Sequence, residues 1–333
     1  MLDERKAAIL RAVVEEYIET AQPVGSSHVA SAPGVDVSSA TVRNEMAGLE
    51  AEGYLRQPHT SAGRVPTEKG YRFFVDHLRP PTQLGDRSQS QVREFFDRAH
   101  GEVEEMLAQT SRLLSNLTKL TSVVVAPGPA EATVRSVQVV SISTTHAVVV
   151  VVLNDGTVEK HTFELPREAG DEHVNTASAH LARHLSGIRR DQVGSVPPTG
   201  NAPTDAVSQR AIDALTSRRT DETDQVYVGG TAHMAQAFDA LETVREVLAV
   251  LEQQYVVVSL LRDVINRGLD VAIGTETGMP PLSECSLVVA PYEIDGERAG
   301  TIGVLGPTRM NYPQALAAVA VVSDRLSTRL TEG

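Results

Sequence analysis

Apolar residues recur at helical spacing from the start of the chain. Ile9/Leu10, Val13/Val14 and Tyr17/Ile18 mark one face, and they predict a helix over about 3–20 with Asp3 as its N-cap. Pro23-Val24-Gly25-Ser26 breaks that helix and leads into a short one, Ser27 to Ala32, before the turn at Pro33-Gly34. A third helix runs from near Ser38 to about Glu52, with Val42, Met46 and Leu49 as its apolar face, and Gly53 ends it. Leu55 to Thr67 carries Pro58, Gly63 and Pro66, a pattern of two short strands and a tip. Thr67 caps a fourth helix bearing Tyr71, Phe74, Val75 and Leu78.

Further on, Pro80-Pro81 and the polar residues to Ser90 read as a linker, and 91–121 as one long amphipathic helix stopped at Pro127-Gly128-Pro129. Val134–Ile142 and Ala147–Leu153 are rich in Val and Ile and read as strands, and after a hairpin turn at Asn154-Asp155-Gly156 Thr157–Leu165 pairs back. The pattern then becomes polar and helical, with Val226–Gly229 as a short strand. Val256-Val257-Val258 resembles a strand, but Leu251, Tyr255, Val258, Leu261 and Ile265 form a helical stripe, so a helix is predicted. Leu269–Thr275, Ser286–Tyr292 and Gly300–Leu305 are strands, and Pro313 to Leu330 a final helix. Strands that stop near 165 and resume near 269 suggest an inserted segment. The class is α+β and multidomain, divided as 1–80, 81–165, 166–265 and 266–333.

Composition narrows the function. Of the 333 residues 41% are hydrophobic and 22% charged, which excludes wholesale disorder. Cys285 is the sole cysteine, so neither an intramolecular disulfide nor a cysteine-cluster zinc site is possible. Apolar runs such as Ala147 to Leu153 fall far short of the ~18 residues of a membrane span. The N-terminus lacks an apolar signal region. A cytoplasmic protein with no membrane partner is expected.

The net charge of −13 argues by itself against nucleic acid, but the charge is uneven. Residues 1–80 carry a net of −2 and the rest −11. Within 56–74, Arg56, Arg64, Lys69 and Arg72 face only Glu68, a local +3 on an acidic molecule.

Helix, short helix, turn, helix and two short strands make a winged helix-turn-helix whose third helix would enter a major groove. With Val42, Met46 and Leu49 inward, the outward face is Ala40, Asn44, Ala47, Gly48 and Ala51, flanked by Thr41 and Arg43. Small side chains let a helix approach base edges. Asn44 has the length for a bidentate contact to adenine, and Arg43 can reach guanine or phosphate. Ser38 and Ser39 sit at the positive helix end, where a phosphate fits. The segment from Pro58 to Thr67 holds His59, Ser61 and Arg64 around Gly63, and with Lys69 and Arg72 it suits phosphates or a minor groove. The candidate DNA-contacting residues are therefore Ser38, Ser39, Ala40, Thr41, Arg43, Asn44, Ala47, His59, Ser61, Arg64, Lys69 and Arg72.

Four N-terminal stretches carry a family resemblance: Pro23-Val24-Gly25-Ser26; Ser38-Ser39-Ala40-Thr41-Val42-Arg43-Asn44-Glu45-Met46; Pro58-His59-Thr60-Ser61-Ala62-Gly63-Arg64; and Pro66-Thr67-Glu68-Lys69-Gly70-Tyr71-Arg72. Cys285-Ser286-Leu287-Val288 and Gly306-Pro307-Thr308-Arg309-Met310-Asn311-Tyr312 add to it at the other end. Together they resemble the heat-inducible transcription repressor family HrcA; the middle, about 166–260, matches loosely. The resemblance implies a winged helix, a GAF-like domain in two parts (81–165 and 266–333) and a dimerisation domain inserted at 166–265. It implies a homodimer that represses chaperone genes through an inverted-repeat operator, CIRCE, in double-stranded DNA, with the GroEL-type chaperonin as modulator. Ser27, His233 and Thr277 stand where the family commonly has Arg, Asn and Asn.

Rival sites are weak. His180 and His184 lie at i, i+4, with His161 and His173 as conceivable further ligands, but the metalloprotease pattern is missing. Cys285 has no base in its sequence context, and Glu276 and Glu284 could be paired carboxylates whose separation the sequence leaves open. The expectation is a repressor and not an enzyme, with no catalytic residues, cofactor or metal. The alternative is a ligand-sensing GAF-type transcription regulator.

Overall fold

The computed structural model describes all residues except 1, 60–61, 79–83, 99–102, 127–131, 155, 217–224, 239 and 333. The chain opens with α1 (Glu4–Thr20), α2 (Ser26–Val29), α3 (Ser39–Ala51), the strands β1 (Leu55–Arg56) and β2 (Val65–Pro66), and α4 (Glu68–Asp76). The caps are those the sequence marks: the Asp3, Ser38 and Thr67 side chains each accept a backbone N–H from the first turn of their helix. Ile9, Leu10, Val13 and Val14 of α1 are buried with Val42, Met46 and Leu49 of α3 and with Tyr71 and Phe74 of α4.

Next come α5 (Asp86–Arg98), α6 (Val103–Thr118) and β3 (Thr121–Val125). The stretch expected to be one helix over 91–121 is thus two, and the first begins inside the expected linker. Both bury apolar residues in the core that holds the last helix: Val92 and Phe96 from α5, Leu107 and Leu114 from α6. Between them the sequence carries Gly101, among the poorest helix formers.

A second sheet follows, β4 (Val134–Ser141), β5 (His146–Leu153) and β6 (Val158–Glu164), paired antiparallel in that order. α7 (Asp171–Leu185) and α8 (Ala202–Thr216) share its core, built on Val137, Val139, Val149, Val151, Phe163, Leu181 and Ile212. The chain then forms β7 (Val226–Gly229), α9 (Met234–Ala237), α10 (Leu241–Glu252), α11 (Gln254–Asn266), β8 (Val271–Ile273), β9 (Cys285–Ile294), β10 (Glu297–Pro307) and α12 (Tyr312–Glu332).

The main sheet runs β7-β3-β10-β9-β8, antiparallel throughout. Alternation along each strand sends side chains to two cores. Val124, Val288, Ile302 and Val304 join α5, α6, α12 and the N-terminal helices; Val123, Val125, Leu287 and Val289 meet α10 and α11. One continuous core therefore links the N-terminal head to one face of the sheet.

The sheets draw the internal division differently from the strand count. The interruption contains the second sheet and starts near 132, not 166; it is over by β7, so α10 and α11 belong with the main sheet. Sequence pattern reveals that a segment is a strand but not which sheet it joins. The two ends of the interruption are adjacent, because β3 and β7 are hydrogen-bonded neighbours and Ala126 N–H donates to the Gln225 carbonyl at 2.9 Å.

Candidate nucleic-acid interface

The face of α3 opposite its buried residues is open. Ser38, Ser39, Ala40, Arg43, Asn44, Ala47 and Ala51 are exposed and Thr41 is half-buried. Ser38 Oγ accepts from Thr41 N–H at 3.2 Å and lies 3.0 Å from Thr41 Oγ1, so both hydroxyls shape the helix start. Gly48 is covered: a β-carbon there would stand 3.7 Å from Nζ of Lys6, which reaches over from α1. Lys6 donates to Glu52 at 2.5 Å, and this bond holds its ammonium above its usual pKa. Arg5 approaches Glu45 within 3.5 Å. Two carboxylates that edge the α3 face, and would repel a phosphate, are thus neutralised from α1. Sequence reasoning missed this role of Arg5 and Lys6, because the pairs join residues 40 or more positions apart.

The strand pair beside α3 is set by Leu55↔Pro66 and Arg56↔Val65. His59 is exposed, and Ser61 lies outside the described residues. Three basic residues expected to meet phosphate are engaged within the protein. Arg64 donates through Nε at 2.9 Å and through an Nη at 2.8 Å to Glu50 of α3, while its backbone exchanges two 2.9 Å bonds with Val24. Lys69 donates to the Glu52 carbonyl at 2.8 Å and sits 4.2 Å above the Tyr54 ring. Arg72 is turned to the main sheet, where it grips Glu276 and donates to the Val271 carbonyl at 2.7 Å. The reason is the acidity of the molecule: a guanidinium with a carboxylate and carbonyls in reach forms charge-assisted bonds to them. A count over 56–74 cannot register a partner 204 residues away. Arg56, exposed on β1, and Arg43 remain directed to solvent; neither makes an ion pair among the described residues.

The other candidates disperse. His180 and His184 approach each other, with ring centroids 4.6 Å apart, but His180 Nε2 bonds the Pro197 carbonyl at 2.7 Å. His173 Nδ1 accepts from Gly170 N–H, and His161 is buried beside Glu159. Among the described residues no group of three or more His, Cys, Asp or Glu could hold a metal. Cys285 is fully buried, and desolvation first, then the Glu284 charge, pushes its thiol up to about 12. Glu276 belongs to Arg72, whereas Glu284 accepts from the Thr243 hydroxyl at 3.1 Å. Thr277 donates to the Gly274 carbonyl at 2.8 Å and so braces the turn after β8.

A family model described as "HrcA protein C terminal domain" matches residues 104–316. The chain is also 38% identical over 340 residues to the heat-inducible transcription repressor HrcA of Nocardioides sp. (strain ATCC BAA-499 / JS614), covering all of both chains. It belongs to the HrcA family. The repressor of Streptomyces albus G is 35% identical with complete coverage of both, and that of Pelotomaculum thermopropionicum is 36% identical, covering 98% of this chain and 96% of its own. A solved structure described only as a hypothetical protein at 2.2 Å resolution shares the fold, with a TM-score of 0.63, 21% identity, and coverage of 100% and 99%. The family's function follows for this member: heat-shock transcriptional repression, which acts on DNA. Among the described residues no helix is long and apolar enough to cross a membrane.

Proposed function

We propose that residues 2–78 form a winged helix-turn-helix that lays α3 in the major groove, and that a homodimer places two of them on an inverted-repeat CIRCE operator upstream of chaperone genes. The observation that carries this reading is the α3 face itself: small side chains around Asn44, Arg43 at its flank, and its bordering carboxylates paired with Arg5 and Lys6. Ser38, Ser39, Ala40, Thr41, Asn44 and Ala47 approach bases or the first phosphate. Arg43, Arg56 and His59 meet the backbone, while Arg64 and Lys69 hold the wing to α3. The main sheet with its helices is the GAF-like body, with no cofactor assigned to it.

The interrupting unit, about 132–216, is the dimerisation domain in this reading. The face of its sheet opposite α7 and α8 is open and carries an apolar group among polar residues: Val140, Ile142 and Val158 are 49%, 61% and 50% exposed, with half-buried Val148, Val150 and Val152 between them and exposed Gln138, Lys160 and Thr162 on the same face. Such a patch on a soluble protein marks an interaction surface. A two-fold pair suits an inverted repeat. A GroEL-type chaperonin modulates the repressor.

Footprinting of the purified protein on DNA upstream of its own gene and of the chaperonin genes tests the reading. Protection of two symmetric half-sites is the expected result. Equal affinity for unrelated DNA would remove it. Ile142→Asp should yield a monomer that protects neither half-site well.

A further inference from the structure

The joint between head and body is built from two reciprocal contacts. Glu68 and Arg72 lie one turn apart on α4 and both reach the turn that follows β8. Glu68 accepts from the Thr275 N–H at 3.2 Å and from its hydroxyl at 2.5 Å. Arg72 donates to both oxygens of Glu276 and to the Val271 carbonyl. Glu276 is itself oriented by the Ile273 N–H at 2.9 Å. Gly274 makes room for this: its φ is +55°, and a β-carbon would stand 2.2 Å from a Glu68 carboxylate oxygen. Beneath the polar contacts Tyr71 packs on Tyr312, with centroids 5.9 Å apart.

Two side chains of one helix, both bonded to one strand end and its turn, fix rotation as well as position. The head transmits that constraint to α3, because the Thr67 cap of α4 donates to the Gly53 and Tyr54 carbonyls directly after α3. In a two-fold dimer the separation and angle of the two α3 helices then depend on this joint as much as on the dimer interface.

We propose that Arg72 and Glu276, supported by Glu68 and Gly274, are positioning residues that set which half-site spacing the dimer accepts. The inference rests on the operator reading above. Each residue acts through α3 and touches no DNA. With the joint closed, the two heads form one rigid ruler, and an operator with displaced half-sites engages a single head. With the joint open, each head keeps its own affinity but its geometry relaxes, so avidity at the matched operator falls and tolerance of other spacings rises.

The test uses the full-length protein and DNA duplexes that carry one half-site, the matched operator, or half-sites displaced by one or two base pairs or by half a helical turn, about 5 base pairs. Wild type should lose ~100-fold or more in affinity on half-turn displacement, the scale of lost bivalency. Arg72→Ala, Glu276→Gln and Gly274→Ala should lose ~10-fold or less on the same displacement and bind a single half-site as wild type does. Arg72→Lys, which keeps a donor cation facing Glu276 and the Val271 carbonyl, should retain more discrimination than Arg72→Ala, which a merely destabilised head would not show. The inference is overturned if Glu276→Gln and Gly274→Ala discriminate spacing as sharply as wild type, or if half-site affinity falls in step with operator affinity. Failure of wild type to prefer the matched operator over unrelated DNA would overturn the DNA-binding reading itself.

Discussion

Gly63 and Val24 touch backbone to backbone: a β-carbon at residue 63 would lie 2.3 Å from the Val24 carbonyl oxygen and 2.8 Å from the Pro23 carbonyl carbon. The glycine serves close approach, since its φ is not positive, and the Arg64–Val24 bridge beside it fastens the wing to the entry of α2. Gly63→Ala must push the two segments apart. Overpacking of this kind costs ~1–3 kcal/mol. The variant should unfold at lower temperature and bind operator more weakly, as read by circular dichroism and fluorescence anisotropy. An unchanged melting profile would show that the wing entry yields freely.

Asn44 is exposed on α3 among Ala40, Ala47 and Ala51, so Asn44→Ala removes no buried contact. Stability should hold while specific binding weakens by ~1–3 kcal/mol and base preference relaxes at one position per half-site. A panel of operator substitutions measures this. Equal losses on specific and random DNA would mean that Asn44 reads no base.

Arg43 and Arg64 should separate sharply. Arg43 faces solvent, whereas Arg64 is tied to Glu50. Arg43→Ala should lower the slope of log K against log salt by about one unit. Arg64→Ala should leave the slope unchanged and reduce thermal stability, because it strands Glu50 and loosens the wing. The reverse pattern would put Arg64 on phosphate.

The head was legible because its structure is local. Asp3, Ser38 and Thr67 announce helix starts, and the period of Val42, Met46 and Leu49 orients α3. What escaped the sequence is non-local. Nothing near Arg72 points to Glu276, and nothing near Arg64 shows that Glu50 sits one helix back on the same side. The division of the body escaped for the same reason: β4 and β5 are as Val-rich as β3, and only pairing assigns them to different sheets.

Arg190 and Glu159 are 5% and 7% exposed and meet at 2.9 Å, with Arg190 also donating to the Leu215 carbonyl. The pair joins β6 to the end of α8 inside the second sheet's core. Glu159→Ala leaves a buried guanidinium uncompensated and should cost ~3–5 kcal/mol, whereas apolar replacement of both residues should cost far less. If the unit holds the dimer together, the single variant should also raise the dimer dissociation constant in sedimentation. Loss of stability without loss of association would locate the dimer contact elsewhere.

Warming should release DNA by loosening the repressor itself, without a small ligand. Cys285 offers an internal reporter. It opens β9 in the main sheet, is fully buried, and carries a thiol whose pKa burial raises to about 12. Near pH 8 it is therefore neutral and shielded, and it becomes reactive only when the body opens. Because the folded thiol ionises later than the unfolded one, this group adds stability fully below the unfolded value of 9.0, and that contribution is lost as pH rises from there towards 12. Labelling near pH 8 stays below that window. The margin is small: domains are stable by ~5–15 kcal/mol, and dimer stability falls with protomer concentration. Operator release and Cys285 labelling should then share one transition through the heat-shock range, shifted upward at higher protein concentration. Chaperonin with ATP should restore binding after cooling. Release that precedes labelling by many degrees, with sedimentation still showing a dimer, would separate heat sensing from unfolding and direct attention to the head–body joint at Arg72 and Glu276, where a rigid-body change can abolish bivalent binding while Cys285 stays covered.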